Sequence, residues 1–443
     1  VKLAIVAFAV ILLIFLLVKF KLNIFISLVV TAFLTAFALQ VPLARIPEFI
    51  TTGIGDQLDD LAIVFGLGAM LGKLITDSGG GYRIAHTLIE HSGKKKIQVC
   101  VILAAFIFGL TLSFEASLVV LLPLVFVLAN EVGIPLLALA LPMATTLAVL
   151  HNLVPPHPSP TAVAGILHAD LTQVISFGLL ISIILILLIG PAFEHFLRKF
   201  YPQVYHKQRS LLGIGRAKKF DLENTPSFGK SILTVMMPVI LIGLAGIMKY
   251  ALPNNGLNKA FQFIGNANIA MLLSLIFAIF TMGISQKTSM TEIGARLEAA
   301  LTQIAILLFI VGGVGAFRQI LEEGGITNYI AALFTNTHLS PILAAWLITA
   351  LLRVSIGSAT ISALTAASLV GPLLAQSGVA PVLVVLAIGA GSIFADHVND
   401  ASFWIVKEYF DLTLKETFLS WTALTAVISI TGLALIYGLS LFI

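Results

Sequence analysis

The residues best suited to chemistry in this chain stand where an ordinary membrane-crossing sequence would carry none. HNLVPPHPSP, His151 to Pro160, sets two histidines, an asparagine and four prolines between long apolar runs. ADHVNDAS, Ala395 to Ser402, brings Asp396, His397, Asn399 and Asp400, and SFEAS, Ser113 to Ser117, brings Glu115. Charge at the centre of a bilayer costs on the order of 2.5 to 3.5 kcal/mol per residue on insertion scales. No basic residue lies between Ile97 and Ala129, so burial favours the neutral form of Glu115 and makes it a candidate proton carrier, with capping of the following helix as the competing role. His151, His157 and His397 have the intrinsic acidity for proton transfer and can also donate to a carboxylate. Asp396 and Asp400 either join the proton path or serve as counter-ions, paired with His397 or with Arg353.

Around these groups stand hydroxyls and amides suited to an oxygen-rich anionic solute. Ser113, Ser117, Thr145 and Asn152 come from the first half of the chain, and Ser358, Thr360, Ser362 and Asn399 from the second. Ser and Thr also satisfy backbone carbonyls inside membrane helices, so each has a structural alternative. His and Asp fit no standard metal spacing, HExxH is absent, and the single cysteine, Cys100, excludes CxxC sites and intrachain disulfides. No metal or other cofactor is expected.

The elements that must hold these residues are membrane helices. Of 443 residues, 59% are hydrophobic and only 10% charged, and the mean hydropathy is +1.06, far above soluble domains. Apolar runs near the ~20 residues needed to cross a bilayer recur along the length. Single spans are expected at Leu3–Val18, Leu22–Leu39, Leu58–Ile75, Leu171–Pro191, Ser231–Met248, Ile269–Gly283, Leu301–Leu321 and Phe418–Leu441. Leu3–Val18 reads as a first span rather than a signal peptide, because no small-residue cleavage pattern follows it. The net charge of +4 comes from Lys and Arg in short loops, where they orient helices; no nucleic-acid partner is expected.

Two stretches, 97–130 and 341–376, are too long for one crossing and are interrupted by SFEAS and by SIGSAT, which predicts two re-entrant hairpins. Two broken helices are expected at 136–167 and 381–410. Irregular backbone at membrane depth is tolerated only where it is buried in protein or lines a watery cavity. In the first, the half-helices Leu136–Leu150 and Thr161–Leu167 flank the proline string. A shift of 246 positions superposes Gly66 on Gly312, Gly79 on Gly325, Pro135 on Pro381 and His151 on His397. Positive-inside reasoning makes the halves inverted. The expected fold is an all-α polytopic membrane protein with two inverted repeats, 1–192 and 231–443, about ten transmembrane helices, and both termini outside. A basic cytoplasmic linker, 193–230, joins the repeats and carries Arg198, Lys199, Lys207, Arg209, Arg216, Lys218 and Lys219.

TDSGGGYRIA (Thr76–Ala85), SFEAS, VPPHPSPTAVA (Val154–Ala164), GSATISALTAAS (Gly357–Ser368) and HVNDASFWIVKEYF (His397–Phe410) resemble motifs of the gluconate permease family of proton symporters, over nearly the full chain. The resemblance implies a bacterial inner-membrane carrier that imports gluconate or a related sugar acid with protons, and an ion-transporter-like architecture. Ser358, Thr360, Ser362 and the His157 break would hold the carboxylate, with Ser113, Ser117, Thr145, Asn152 and Asn399 reading hydroxyls. Glu115, with His151, His397, Asp396 and Asp400 around it, would carry the proton. Alternatives are sodium coupling with a small carboxylate or an amino acid such as D-serine as solute, a passive channel and, more remotely, an intramembrane hydrolase. Besides lipid, the candidate assembly partner is a second copy, because carriers with a moving domain often dimerise.

Overall fold

The computed structural model describes residues 1–59, 61–93, 96–205, 220–251, 256–334, 339–374 and 377–443, and among these all regular structure is helical. The first half contains α1 (Lys2–Val18), α2 (Ile24–Ala38), α3 (Ile46–Asp59), α4 (Ala62–Asp77), α5 (Gly80–Ser92), α6 (Ile97–Gly109), α7 (Phe114–Val132), α8 (Leu137–Leu153), α9 (Pro158–Ile166) and α10 (Leu171–Phe200). The second contains α11 (Phe228–Ala251), α12 (Gly256–Ile264), α13 (Ala267–Ala278), α14 (Met290–Glu323), α15 (Ile326–Phe334), α16 (Pro341–Ile356), α17 (Ala359–Leu374), α18 (Pro381–Ser392), α19 (Ala401–Tyr409), α20 (Leu414–Thr417) and α21 (Ala423–Leu439). Among the described residues, seven helical segments are long and apolar enough to cross a membrane, or eight counting α4 and α5, which meet at 67°. About ten spans were expected from the sequence, α1 and α2 among them, and these two are apolar but shorter. Lys207, Arg209, Arg216, Lys218 and Lys219 of the expected linker lie outside the described residues, and α10 runs through its first eight positions.

Outward faces of α1, α10 and α14 carry Phe8, Phe15, Leu187, Leu188, Ile306 and Phe309, as lipid requires. α7, α8 and α18 are instead buried nearly all round and form the interior. α3 was not expected from the sequence; its Ile46, Phe49, Ile50 and Gly53 face inward at helical spacing, with Gln57 on the same side, while Glu48 and Asp56 are exposed. Gly53 faces Gly315 and Gly66 faces Leu301, so α3 and α4 run antiparallel to α14. A Cβ at Gly53 would overlap the Gly315 carbonyl.

Both interrupted stretches become paired helices, α6 with α7 and α16 with α17. Ser113 caps α7 by accepting from the Ala116 amide at 3.3 Å. α16 ends on Gly357, at φ +81°, and a Cβ there would collide with the Asn399 backbone. The first broken helix differs from expectation in extent. His151 and Asn152 remain helical in α8, and the break is confined to Val154–His157. Pro158 and Pro160 sit in the first turn of α9, where no intrahelical partner is lost, so they start a helix rather than interrupt one. The second break is longer, from Ile393 to Asp400.

Candidate functional site

The two hairpin tips, the flanks of the first break and the second break meet around one cavity of about 840 Å³. From the first half it receives Ser113 and Glu115 at the α7 start and His151 and Asn152 at the α8 end; from the second, Ser358 and Thr360 at the α17 start. The break before α19 adds Asp396 and Asp400, the first turn of α19 adds Ser402, and the last turn of α16 adds Arg353. Apolar packing seats the first tip against the opposite half, with Phe114 stacked on Trp421 at 5.3 Å between ring centroids.

Arg353 organises the charge. It is buried and pairs through Nη1 with Asp400 Oδ2 and through Nη2 with Asp396 Oδ2 at 3.3 Å. Both aspartates are therefore ion-paired with Arg353. Glu115, which had no basic neighbour in its own segment, lies within the field of Arg353 and Asp400. Asp396 Oδ2 also accepts from Trp421 Nε1 at 2.7 Å, Asp400 Oδ1 accepts from the Ser402 amide at 2.6 Å, and Ser402 Oγ lies against both of these oxygens. A π-helical turn at Phe418–Thr422 brings Trp421 and Thr422 to this point, and Thr422 Oγ1 donates to the Asp396 carbonyl at 2.6 Å. Buried charges kept this way are costly to unpair: removing one partner costs roughly 3 to 5 kcal/mol.

Other expected site residues lie outside the cavity lining, their polar atoms engaged with backbone. Ser117 Oγ donates to Phe108 O at 3.3 Å and Thr145 Oγ1 to Leu141 O at 2.9 Å. His157 Nε2 meets Gly109 O at 2.6 Å; His397 Nε2 and Asn399 Nδ2 meet Val354 O at 3.0 and 2.8 Å. In each half, then, a break histidine ties the break to the end of the first hairpin helix, where carbonyls lack helical partners. Ser362 is buried in α17 behind the tip. His151 faces the cavity, packs edge-on to His157 at 4.9 Å, and has no partner at Nδ1.

The sequence reading gave no site role to Trp421 or to Arg318 and Gln57, which bond each other at 2.9 Å and line the cavity beside Asp59. Their sequence signal was weak: Gln57 belongs to the unexpected α3, and Arg318 is a single charged residue near the end of the expected span Leu301–Leu321.

Residues 1–442 match the profile of the GntP family permease. The chain is 46% identical to a gluconate permease of Bacillus licheniformis, covering 100% of both chains. It is 42% identical to a high-affinity gluconate transporter of Escherichia coli and 40% identical to that organism's Gnt-II system L-idonate transporter, covering 97% of each chain in both cases.

Proposed function

Because the chain belongs to the GntP permease family, we propose that it imports gluconate, or a closely related small sugar acid, across the bacterial inner membrane by proton symport. It is an integral membrane transporter and not an enzyme. The observation that carries the solute class is the cavity itself. It combines one deeply buried guanidinium with hydroxyls and an amide from Ser113, Asn152, Ser358 and Thr360, the donors and acceptors a polyhydroxylated carboxylate needs. Ser358 and Thr360 stand at the α17 N-terminus, where free amides favour an anion. Glu115, Asp396 and Asp400, with His151 and His397 beside them, form the acid cluster from which the coupled proton is taken and returned. Ser117, Thr145, His157 and Asn399 hold the backbone that presents these groups, and Ser362 packs in α17 behind the tip.

The proposed topology has two inverted repeats, ten crossings, re-entrant hairpins at α6–α7 and α16–α17, both termini outside, and a homodimer as the working assembly. In support, the hairpin starts Ile97 and Pro341, and the broken-helix starts Leu137 and Pro381, recur within two residues of the 246-residue shift.

The test is uptake of labelled gluconate into proteoliposomes under an imposed pH gradient without sodium, comparing wild type with Glu115→Gln. Uphill accumulation by wild type is expected, with the mutant reduced at least about tenfold if the proton passes Glu115. Accumulation requiring sodium, or no uphill accumulation at all, would reject proton symport. Accumulation surviving in the mutant would assign the proton to the aspartate pair. Competition by L-idonate then ranks the related sugar acids.

A further inference from the structure

We infer that Arg353 receives the solute's carboxylate and that the Asp396–Ser402–Asp400 bridge takes up the single proton that enters with it. This deepens, and rests on, the sugar-acid symport reading above.

A guanidinium presents its N–H donors in a rigid fork that fits a carboxylate. In Arg353 the fork is only partly used: Nη1 and Nη2 meet Asp400 and Asp396, while Nε is buried with no partner, and the residue lines the cavity. A solute carboxylate has donors to meet there, but it must compete with two resident carboxylates.

Those carboxylates are joined by one hydroxyl. Ser402 Oγ lies within hydrogen-bonding reach of both Asp396 Oδ2 and Asp400 Oδ1, yet it has one hydrogen to give. With both acids ionised, one of these contacts sets oxygen against oxygen with no proton between. One added proton completes the row: the protonated carboxyl donates to Ser402 Oγ, and Ser402 donates to the other carboxylate. The pair therefore takes its proton as a unit. Asp396 Oδ2 keeps the Trp421 donor, and Asp400 Oδ1 keeps the Ser402 amide, so neither acid depends on Arg353 alone.

Charge balance links the two events. Arg353 with both aspartates ionised leaves the bridge at a net minus one. A proton and a monoanion together restore that value, whereas the anion alone would bring it to minus two in a buried setting, where like charges repel strongly. The other titratable groups facing Arg353 and the pair are Glu115 from α7, His151 from α8 and His397 within the break. One proton and one monoanion per cycle make transport electroneutral.

The experiment uses the full chain in proteoliposomes, with gluconate binding measured across pH 5.5 to 8.5 and accumulation driven separately by a pH gradient and by a potassium–valinomycin potential. For wild type, binding that strengthens as pH falls, accumulation driven by the pH gradient and none driven by the potential are expected. Asp400→Asn keeps the oxygen that caps α19 but is permanently neutral; its gluconate binding should lose its pH dependence and its gradient-driven accumulation should vanish. Asp396→Asn removes the same charge without touching that cap, and serves if the first variant misfolds. Arg353→Lys, which retains charge without the fork, should weaken binding roughly 100-fold. Wild-type accumulation with either folded Asn variant still fully coupled to pH, with Arg353→Lys binding like wild type, or with potential-driven uptake, overturns the inference and leaves the symport reading intact. A wild type that neither binds nor accumulates gluconate overturns that reading and the inference with it.

Discussion

The two breaks occupy matching places between half-helices, yet they are built from different materials. The first, Val154–His157, is short and shaped by Pro155 and Pro156; among the described residues its one side-chain tether is the His157 bond to Gly109 O. The second, Ile393–Asp400, has no proline and is held by side chains: Arg353 on two aspartates, Ser402 between them, Trp421 and Thr422 on Asp396, and His397 and Asn399 on Val354 O. Proline stiffness is indifferent to protons and anions. A net of charged hydrogen bonds is not, because every proton or carboxylate entering it redistributes its partners. On the proposed reading, the first break is a rigid wall of the site and the second break is the part that responds to solute.

The largest test exploits the glycines at the two hairpin turns. Gly357→Ala forces an L side chain to φ +81° and into the Asn399 backbone, which has no room to yield. The expected loss is on the order of 3 kcal/mol, with transport abolished, read from thermal unfolding in detergent and from uptake. Gly109→Ala places its methyl 3.0 Å from Leu150 Cδ1 and 3.2 Å from Leu147 Cδ2, flexible ends that can shift. Helix propensity then offsets the crowding, and a net change within about 1 kcal/mol is expected. Comparable losses at both glycines would break the contrast between the halves.

Next come the tethers. Gly109 O at the end of α6 has His157 as its side-chain donor, so His157→Ala strands a buried carbonyl and should cost about 1 to 3 kcal/mol. Val354 O keeps Asn399 Nδ2 when His397 is removed, so His397→Ala should cost about 1 kcal/mol or less. Chemical denaturation of the two purified variants compares them, and a larger loss at His397 would contradict the redundancy seen in the second break.

The uneven legibility of these features in the sequence has physical causes. The hairpins and breaks were readable because polar and proline residues interrupt runs too apolar to be anything but membrane helix, and the helix ends fell within a few residues of those interruptions. α3 was not, because Glu48, Asp56, Gln57 and Asp59 depress its hydropathy below that of a span; the inward Ile46, Phe49, Ile50 and Gly53 spacing was the signal available. Hydroxyl roles were ambiguous for a different reason. A Thr that lines a cavity and one that returns its hydrogen to the i−4 carbonyl, as Thr145 does, look alike in sequence. Arg353 was foreseeable as a partner for the aspartates, but its place in the cavity, and the approach of Trp421 to Asp396, depend on how the chain folds back across 25 and more residues.

The smallest effect on uptake is expected at the seam between the breaks. Ser392 Oγ of α18 is 3.0 Å from Asn152 Oδ1 of α8 and 2.8 Å from Gly389 O, and Gly389 lets the Asn152 carbonyl pack against the α18 backbone. Contacts this close, glycine against backbone, favour a fixed joint, so the wall and the responsive break should travel as one body. In that case Ser392→Ala removes one bond whose acceptor borders the cavity and can turn to water; stability should fall by about 0.5 to 1.5 kcal/mol. Uptake should stay within about twofold of wild type, since no bond needed only during movement is lost. If uptake instead collapses while stability falls as little as this, the seam slides in each cycle, and the division into wall and responsive half must be drawn through α8 and α18 rather than around them.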